Sequence, residues 1–393
     1  MSLYTADHLR RLRLIVTGGG TGGHTYPALT TLETLKDKLA PTGVEPELLW
    51  VGVRDGLEAK VAARSGVPFK AIVTGKLRRS PNVRELLRNF VDAFRIPIGV
   101  LQAMATVART RPSVVLSTGG YVSVPIGLAA RLFGVPYVLH EQTLSLGLAN
   151  RILARVATRV LLSHTSSLEH LPERLRGRAV VTGNPIRAEI LAGNPAAGLA
   201  AFDLDPSMPL VLVTGGAGGA RQINRMVTAV LPDVLSRCQV VHQCGSMDID
   251  EMRQVAANLP PHLARRYRVV DFLHQELPDL LAAADVVVAR SGAGTVAELT
   301  ALGKACILIP YPYSAGGEQR VTARTLAADG AAVMLDGEEA TAERLRSSLE
   351  MLLVDPQRRM AMSAAAARHG RPDAADRVVA EILAVAARGR AFN

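Results

Sequence analysis

The sequence predicts an α/β protein made of two Rossmann-like domains, each a parallel sheet covered by helices and opening on a glycine-rich turn. Two observations carry this. One phrase occurs twice, as Leu14-Ile15-Val16-Thr17-Gly18-Gly19-Gly20-Thr21-Gly22-Gly23-His24 and as Leu210-Val211-Leu212-Val213-Thr214-Gly215-Gly216-Ala217-Gly218-Gly219-Ala220. Each copy is an apolar run, then glycines, then a helical pattern, Pro27–Leu39 or Asn224–Leu235. That is the order in which a Rossmann half brings backbone N–H groups and a helix N-terminus to an anion. The second observation is that strand-like and helical runs alternate along the chain, which argues for parallel sheets covered on both faces.

Taken in order, the first series of strand-like runs is Leu14–Val16, Leu48–Val53, Val114–Leu116, Tyr137–Leu139, Arg159–Leu162 and Ala179–Thr182. Gly183-Asn184-Pro185-Ile186-Arg187 and Leu191-Ala192-Gly193-Asn194-Pro195 are turn chemistry that interrupts a sheet. The boundary falls there, giving a first domain over 1–186 and a second over 187–370. The second series is Leu210–Val213, Val240–Gln243, Arg268–Val270, Val286–Val288, Ile307–Ile309 and Ala332–Met334. The ending, Asp373–Arg388, is helical with Ala and Val on one face, and by analogy with two-domain folds of this kind residues 371–393 are expected to pack back on the first domain.

A chain of 393 residues, 48% apolar and 20% charged, can bury two full cores. The longest uncharged stretches, 14–32 and 112–130, contain glycines, prolines and hydroxyl residues, so neither reads as a bilayer-spanning helix. Met1–Arg13 has no apolar run ending in small residues, and no secretory signal is expected. Cys238, Cys244 and Cys306 lack metal-ligand spacing, which predicts buried thiols in a reducing cytosol and no metal. The formal charge of +10 fits an anionic partner. Aromatic residues make up only 4% and do not interleave with basic stretches, so no nucleic-acid partner is expected.

Four glycine loops follow apolar strands: Gly18–Gly23, Gly119-Gly120, Gly215–Gly219 and Ser291-Gly292-Ala293-Gly294-Thr295. They are expected to converge on a cleft. Around them stand Pro27-Ala28-Leu29, Gly75-Lys76-Leu77-Arg78-Arg79, Tyr121-Val122-Ser123, His140-Glu141-Gln142 with Asn150-Arg151, Gly183-Asn184-Pro185-Ile186-Arg187 and Arg290 through Leu299. In this order and spacing, from Gly18 to about Ala332, the chain resembles the MurG family of peptidoglycan glycosyltransferases, which add N-acetylglucosamine to a lipid-linked muramyl pentapeptide.

The resemblance implies a GT-B fold and an inverting transfer from UDP-N-acetylglucosamine to the muramyl 4-hydroxyl of a polyprenyl-diphosphate-linked acceptor. The donor would be held mainly by the second domain and the acceptor approached from the first, with no cofactor. Growing charge on the departing diphosphate can be met by a helix N-terminus and loop amides without a metal. Ala217, Gly218 and Gly219, and Gly292, Ala293, Gly294 and Thr295, are the residues for that task, with Arg187 as an additional cation. Thr21, Gly22, Gly23 and Thr143 belong to the same donor set. Glu298, one helical turn after Gly294, matches the family acid that accepts both ribose hydroxyls. Leu273 matches a backbone contact to uracil, and Gln319 a glutamine facing sugar hydroxyls.

Imidazole is the side chain best suited to proton transfer near neutral pH. His24 is therefore the candidate general base, with a loop-capping role as the alternative reading. Glu141 is the second candidate, or an acceptor-orienting group. By the same resemblance Tyr121, His140 and Asn150 are expected on the acceptor side, with a scaffold role as the alternative for Tyr121 and Asn150.

Lys76, Leu77, Arg78 and Arg79, with Phe90 and Phe94 in the following basic and apolar helix, are expected to dock on an anionic headgroup surface. The ordinary reading of that helix is a core helix with a charged outer face. Attachment would be peripheral, on the cytoplasmic face of the cell membrane. The chain departs from the family pattern at Thr143, at Ala217-Gly218 and at Gly316-Gly317-Glu318. These departures leave open another UDP-sugar-dependent glycosyltransferase and, less favoured, a UDP-N-acetylglucosamine 2-epimerase or a non-catalytic UDP-sugar-binding protein.

Overall fold

The computed structural model describes residues 12–75 and 83–390, apart from the side chains of 83–94, 315, 389 and 390. Lys76, Leu77, Arg78 and Arg79 lie outside the described residues, as do the side chains of Phe90 and Phe94. The chain forms two compact units, Met1–Pro185 with Asp373–Asn393, and Ile186–Pro372.

In the first unit seven parallel strands lie in the order β3-β2-β1-β4-β5-β6-β7. They are β1 Arg13–Gly18, β2 Glu47–Gly52, β3 Phe69–Ala71, β4 Val114–Gly119, β5 Tyr137–Glu141, β6 Arg159–Leu162 and β7 Ala179–Val181. Successive side chains of β1 take opposite faces, as a period of two requires. Leu14 and Val16 join a core with Leu32 and Leu35 of the helix Gly22–Leu39 and with Val378, Val379 and Ile382 of the helix Ala374–Arg390. Ile15 joins the other core, with Ala103 and Val107 of the helix Val83–Thr110 and Ile126 of the helix Ser123–Leu132. Each such fully buried aliphatic stabilises the fold by roughly 1.5–3 kcal/mol. The short β3 has no counterpart among the strand-like runs, because Phe-Lys-Ala carries too little apolar pattern to be seen locally.

The second unit repeats the arrangement with six parallel strands in the order β10-β9-β8-β11-β12-β13. They are β8 Leu210–Thr214, β9 Gln239–Gln243, β10 Tyr267–Val270, β11 Val286–Ala289, β12 Cys306–Leu308 and β13 Val333–Met334. Val211 and Val213 pack with Ile223, Val227 and Leu231 of the helix Arg221–Leu235, while Leu210 and Leu212 face Leu280 and Leu299 on the other side.

Strand order places the glycine loops. In each sheet the winding reverses once, between β1 and β4 and between β8 and β11. Gly18 pairs with Gly119, and Thr214 with Ala289, at the carboxyl ends of those neighbouring strands. The loops Gly18–Thr21 and Gly119–Tyr121 therefore adjoin at one reversal, and Gly215–Ala220 and Arg290–Gly292 at the other. A crevice outside the carboxyl ends at such a reversal is where open α/β sheets take their ligands.

Candidate active site

At the reversal of the first sheet the helix begins at Gly22, five residues before the apolar pattern at Pro27. Thr21 occupies the N-cap position in extended conformation, and its carbonyl accepts from the N–H groups of His24 and Thr25, both at 3.2 Å. Gly22 and Gly23 thus lie in the first turn, where N–H groups have no intrahelical partner. His24 is on that same turn, half-buried, with Nδ1 2.9 Å from Gln142 Oε1. Tyr121 stands beside the loop, since a Cβ at Gly20 would lie 3.3 Å from its ring. Gly120 needs its glycine twice over: its φ is +86°, and a Cβ would lie 2.6 Å from the Gly19 carbonyl oxygen.

The fully buried Glu58 holds this loop, and no local sequence signal pointed to it. Its Oε2 accepts from Gly20 N at 3.2 Å and its Oε1 from Val53 N at 3.0 Å. Gly19, Gly52 and Gly56 surround the side chain so closely that a Cβ on any of them would overlap it. Three glycines and one acid, scattered over forty residues of sequence, form a single latch. Glu58→Ala should lower unfolding free energy by about 2 kcal/mol, through stranded donors and an empty cage. Urea denaturation checks this, and an unchanged midpoint at constant slope would show that the loop stands without the acid.

Glu141 is buried and saturated. Oε1 accepts from the N–H and the hydroxyl of Thr143 at 3.0 and 2.7 Å; Oε2 accepts from Gly147 N at 3.1 Å and Asn150 Nδ2 at 2.8 Å. These bonds make it the organiser of the loop 142–147. They also occupy Thr143, whose hydroxyl lies within 2.8 Å of the Ser145 carbonyl as well. Asn150 and His140 are buried scaffold, His140 Nε2 lying 2.9 Å from the Gly183 carbonyl oxygen.

At the reversal of the second sheet the amides divide by use. Gly216 N donates to Thr214 Oγ1 at 3.1 Å, and Gly219 N to the Gly216 carbonyl at 2.9 Å. Among the described residues no hydrogen bond is made by the N–H groups of Ala217 and Gly218. Gly219, with φ +73°, is there for close packing, because a Cβ would drive into the Cys244 carbonyl. Across the reversal, Gly292 caps the nine-residue helix Ala293–Ala301 in extended conformation. Ala293, Gly294 and Thr295 supply its first-turn N–H groups, and nothing lies within 4 Å of where a Gly294 Cβ would be. Ser291 and Gln319 pin the loop from below: Ser291 Oγ donates to the Gln319 carbonyl at 2.8 Å.

Gln319 Oε1 accepts from Tyr311 N at 2.9 Å, leaving its NH2 end for other partners. Leu273 has its side chain in the core, so only its backbone is available to a ligand. Arg187 and Glu298, 111 residues apart in sequence, meet at 3.5 Å between Nη2 and Oε1. Burial pushes the Glu298 carboxyl upward, and the charge and hydrogen bond of Arg187 pull it back.

Two Rossmann-ordered sheets, each with its glycine loops at the point of reversal, are the architecture of the GT-B fold. Residues 14–162 match the Glycosyltransferase family 28 N-terminal domain, and residues 210–378 the Glycosyltransferase family 28 C-terminal domain. The chain belongs to glycosyltransferase family 28. It is 36% identical to a Desulforudis audaxviator protein named UDP-N-acetylglucosamine--N-acetylmuramyl-(pentapeptide) pyrophosphoryl-undecaprenol N-acetylglucosamine transferase, over 96% of this chain and 100% of that one. A Lachnospira eligens protein of the same name is 35% identical over 87% and 91%. Among solved structures, Acinetobacter baumannii MurG matches with a TM-score of 0.72 at 25% identity, covering 94% of this chain and 99% of that one. The calicheamicin glycosyltransferase CalG4, at 15% identity and a TM-score of 0.67 over 96% and 98%, shares the fold.

Proposed function

We propose that this protein transfers N-acetylglucosamine from UDP-N-acetylglucosamine to the 4-hydroxyl of a muramyl pentapeptide carried on a polyprenyl diphosphate. The observation that carries the reading is the open helix start at the reversal point of each sheet, one bearing His24 and the other leading to Glu298. His24 takes the acceptor proton at Nε2 as the hydroxyl oxygen attacks the anomeric carbon. The bond to UDP breaks on the opposite face, inverting the centre. Charge growing on the leaving diphosphate is met by the amides of Ala217 and Gly218, by the first turn Ala293–Thr295 and by Arg187. Glu298 accepts from the ribose hydroxyls once Arg187 turns to phosphate.

The test is release of UDP from UDP-N-acetylglucosamine by purified protein, with and without a synthetic polyprenyl-diphosphate muramyl pentapeptide. Release that requires the acceptor supports the reading. Conversion of UDP-N-acetylglucosamine to its 2-epimer without acceptor and without net release of UDP overturns it in favour of an epimerase. Ala217-Gly218 and Gly316-Gly317-Glu318 support a second reading, a transferase for another UDP-hexose, which a donor panel in the same assay would reveal.

We further propose peripheral attachment to the anionic cytoplasmic face of the cell membrane. Among the described residues no helix is long and apolar enough to cross a membrane. The packed helices Val83–Thr110 and Ser123–Leu132 leave Ile98, Leu101, Leu128 and Leu132 exposed, with Phe133 and the basic Arg131 alongside. Leu132 is 64% exposed, against the usual burial of leucine. Replacing both Leu132 and Phe133 by Glu should weaken binding to phosphatidylglycerol vesicles about tenfold or more, since each buried large apolar side chain is worth roughly 1.5–3 kcal/mol. Cosedimentation measures it, and undiminished binding would remove these helices from the contact.

A further inference from the structure

Gln142 stands between two imidazoles, and the hydrogens between them can be assigned from geometry. Its Nε2 lies 2.8 Å from the Thr118 carbonyl oxygen, an atom that only accepts, so the amide nitrogen is on that side. Oε1 then faces His24 Nδ1 at 2.9 Å, and that ring nitrogen must carry the proton. The same Nε2 reaches His140 Nδ1 at 3.0 Å, with the His140 carbonyl at 3.3 Å as a further acceptor. His140 is oriented from its other end. Its Nε2 is 2.9 Å from the Gly183 carbonyl oxygen, so Nε2 is protonated and Nδ1 accepts. Burial lowers the His140 pKa to about 4, so this ring stays neutral near pH 7.

We propose that Gln142 and His140 are positioning residues that hold His24 in its Nδ1–H tautomer, so that Nε2 is the unprotonated atom presented to the acceptor hydroxyl. The inference rests on the reading of His24 as general base. Two backbone carbonyls, of Thr118 beside Gln142 and of Gly183 beyond His140, have no tautomers and cannot be flipped, so they fix the amide, the His140 ring and the proton on His24 Nδ1. An unsupported imidazole can hold its proton on either nitrogen, and the Nε2–H form cannot act as a base there. When His24 becomes imidazolium, Oε1 of Gln142 still accepts from Nδ1, so the amide need not turn during the cycle. A neutral amide orients the ring without the counter-charge that a carboxylate would add.

Long-range 1H–15N correlation spectra of histidine-labelled protein read the tautomer directly, with the His24 signals identified by their loss in His24→Ala. The expected wild-type pattern is a protonated Nδ1 and a bare Nε2 on His24. In Gln142→Met, of similar volume but without the acceptor, that pattern should give way to mixed tautomers. Its kcat should fall about tenfold to a hundredfold, with donor KM nearly constant. A wild-type His24 protonated on Nε2, or an unchanged tautomer in Gln142→Met, overturns the proposal. The wild-type spectrum decides the first point even if the variant does not fold. If the tautomer is as stated and His24→Ala still turns over at the wild-type rate, the base assignment fails while the proton row stands.

Discussion

His24→Ala should lower kcat about a hundredfold or more while donor KM stays nearly unchanged, the pattern of a group whose contribution is made only in the transition state. The expectation has a structural basis: the ring lies on a first helical turn and is held at Nδ1 by Gln142. It is half-buried and belongs to neither apolar core of its unit. The substitution should therefore fold normally, with its circular dichroism and melting temperature close to wild type. Steady-state kinetics with saturating acceptor check this. A rise in donor KM with kcat preserved would return His24 to a loop-capping role.

Glu298→Ala should give the converse, a donor KM raised about tenfold to a hundredfold with a smaller effect on kcat, because hydrogen bonds to a charged acceptor are worth roughly 1.5–3 kcal/mol and are made in ground and transition states alike. Glu298→Gln adds a test of sign. Burial raises this carboxyl in the folded protein, so the native state binds more protons than the unfolded one between the two pKa values. Stability contributed by the group therefore falls as pH rises through the ordinary carboxylate range and stays reduced at neutral pH. The glutamine variant should melt at or above the wild-type temperature at pH 7 while binding donor more weakly, as expected where a site trades stability for function. A clear loss of stability in Glu298→Gln would mean that its pairing with Arg187 outweighs the cost of burying the charge.

The strands were legible because buried parallel strands are continuous apolar runs; only β3, three residues at a sheet edge, carried too little pattern. Both glycine-loop helices start ahead of their apolar pattern. Apolar periodicity begins at Pro27 and Asn224, yet the helices begin at Gly22 and Arg221, because their first turns are built of glycine, histidine, threonine, arginine and glutamine and carry little apolar pattern. That shift places His24 on a helix. The motif His140-Glu141-Gln142 marked a site but not the division of labour within it. In sequence Glu141 is a second candidate base or an acceptor-orienting group, and in the structure its carboxylate accepts four hydrogen bonds from its own loop and the helix after it; Gln142 looks incidental, and it contacts both histidines.

By itself the sequence determined the two Rossmann domains, their glycine loops and the residues that fill them, since these rest on local pattern, turn chemistry and spacing. Only the tertiary structure decided that β1 lies beside β4 and β8 beside β11, that Glu58 latches three glycines, and that Arg187 meets Glu298. The physical reason is range. Strand identity is set by neighbours along the chain, whereas strand order and the partners of a buried charge are set by packing between segments tens to a hundred residues apart.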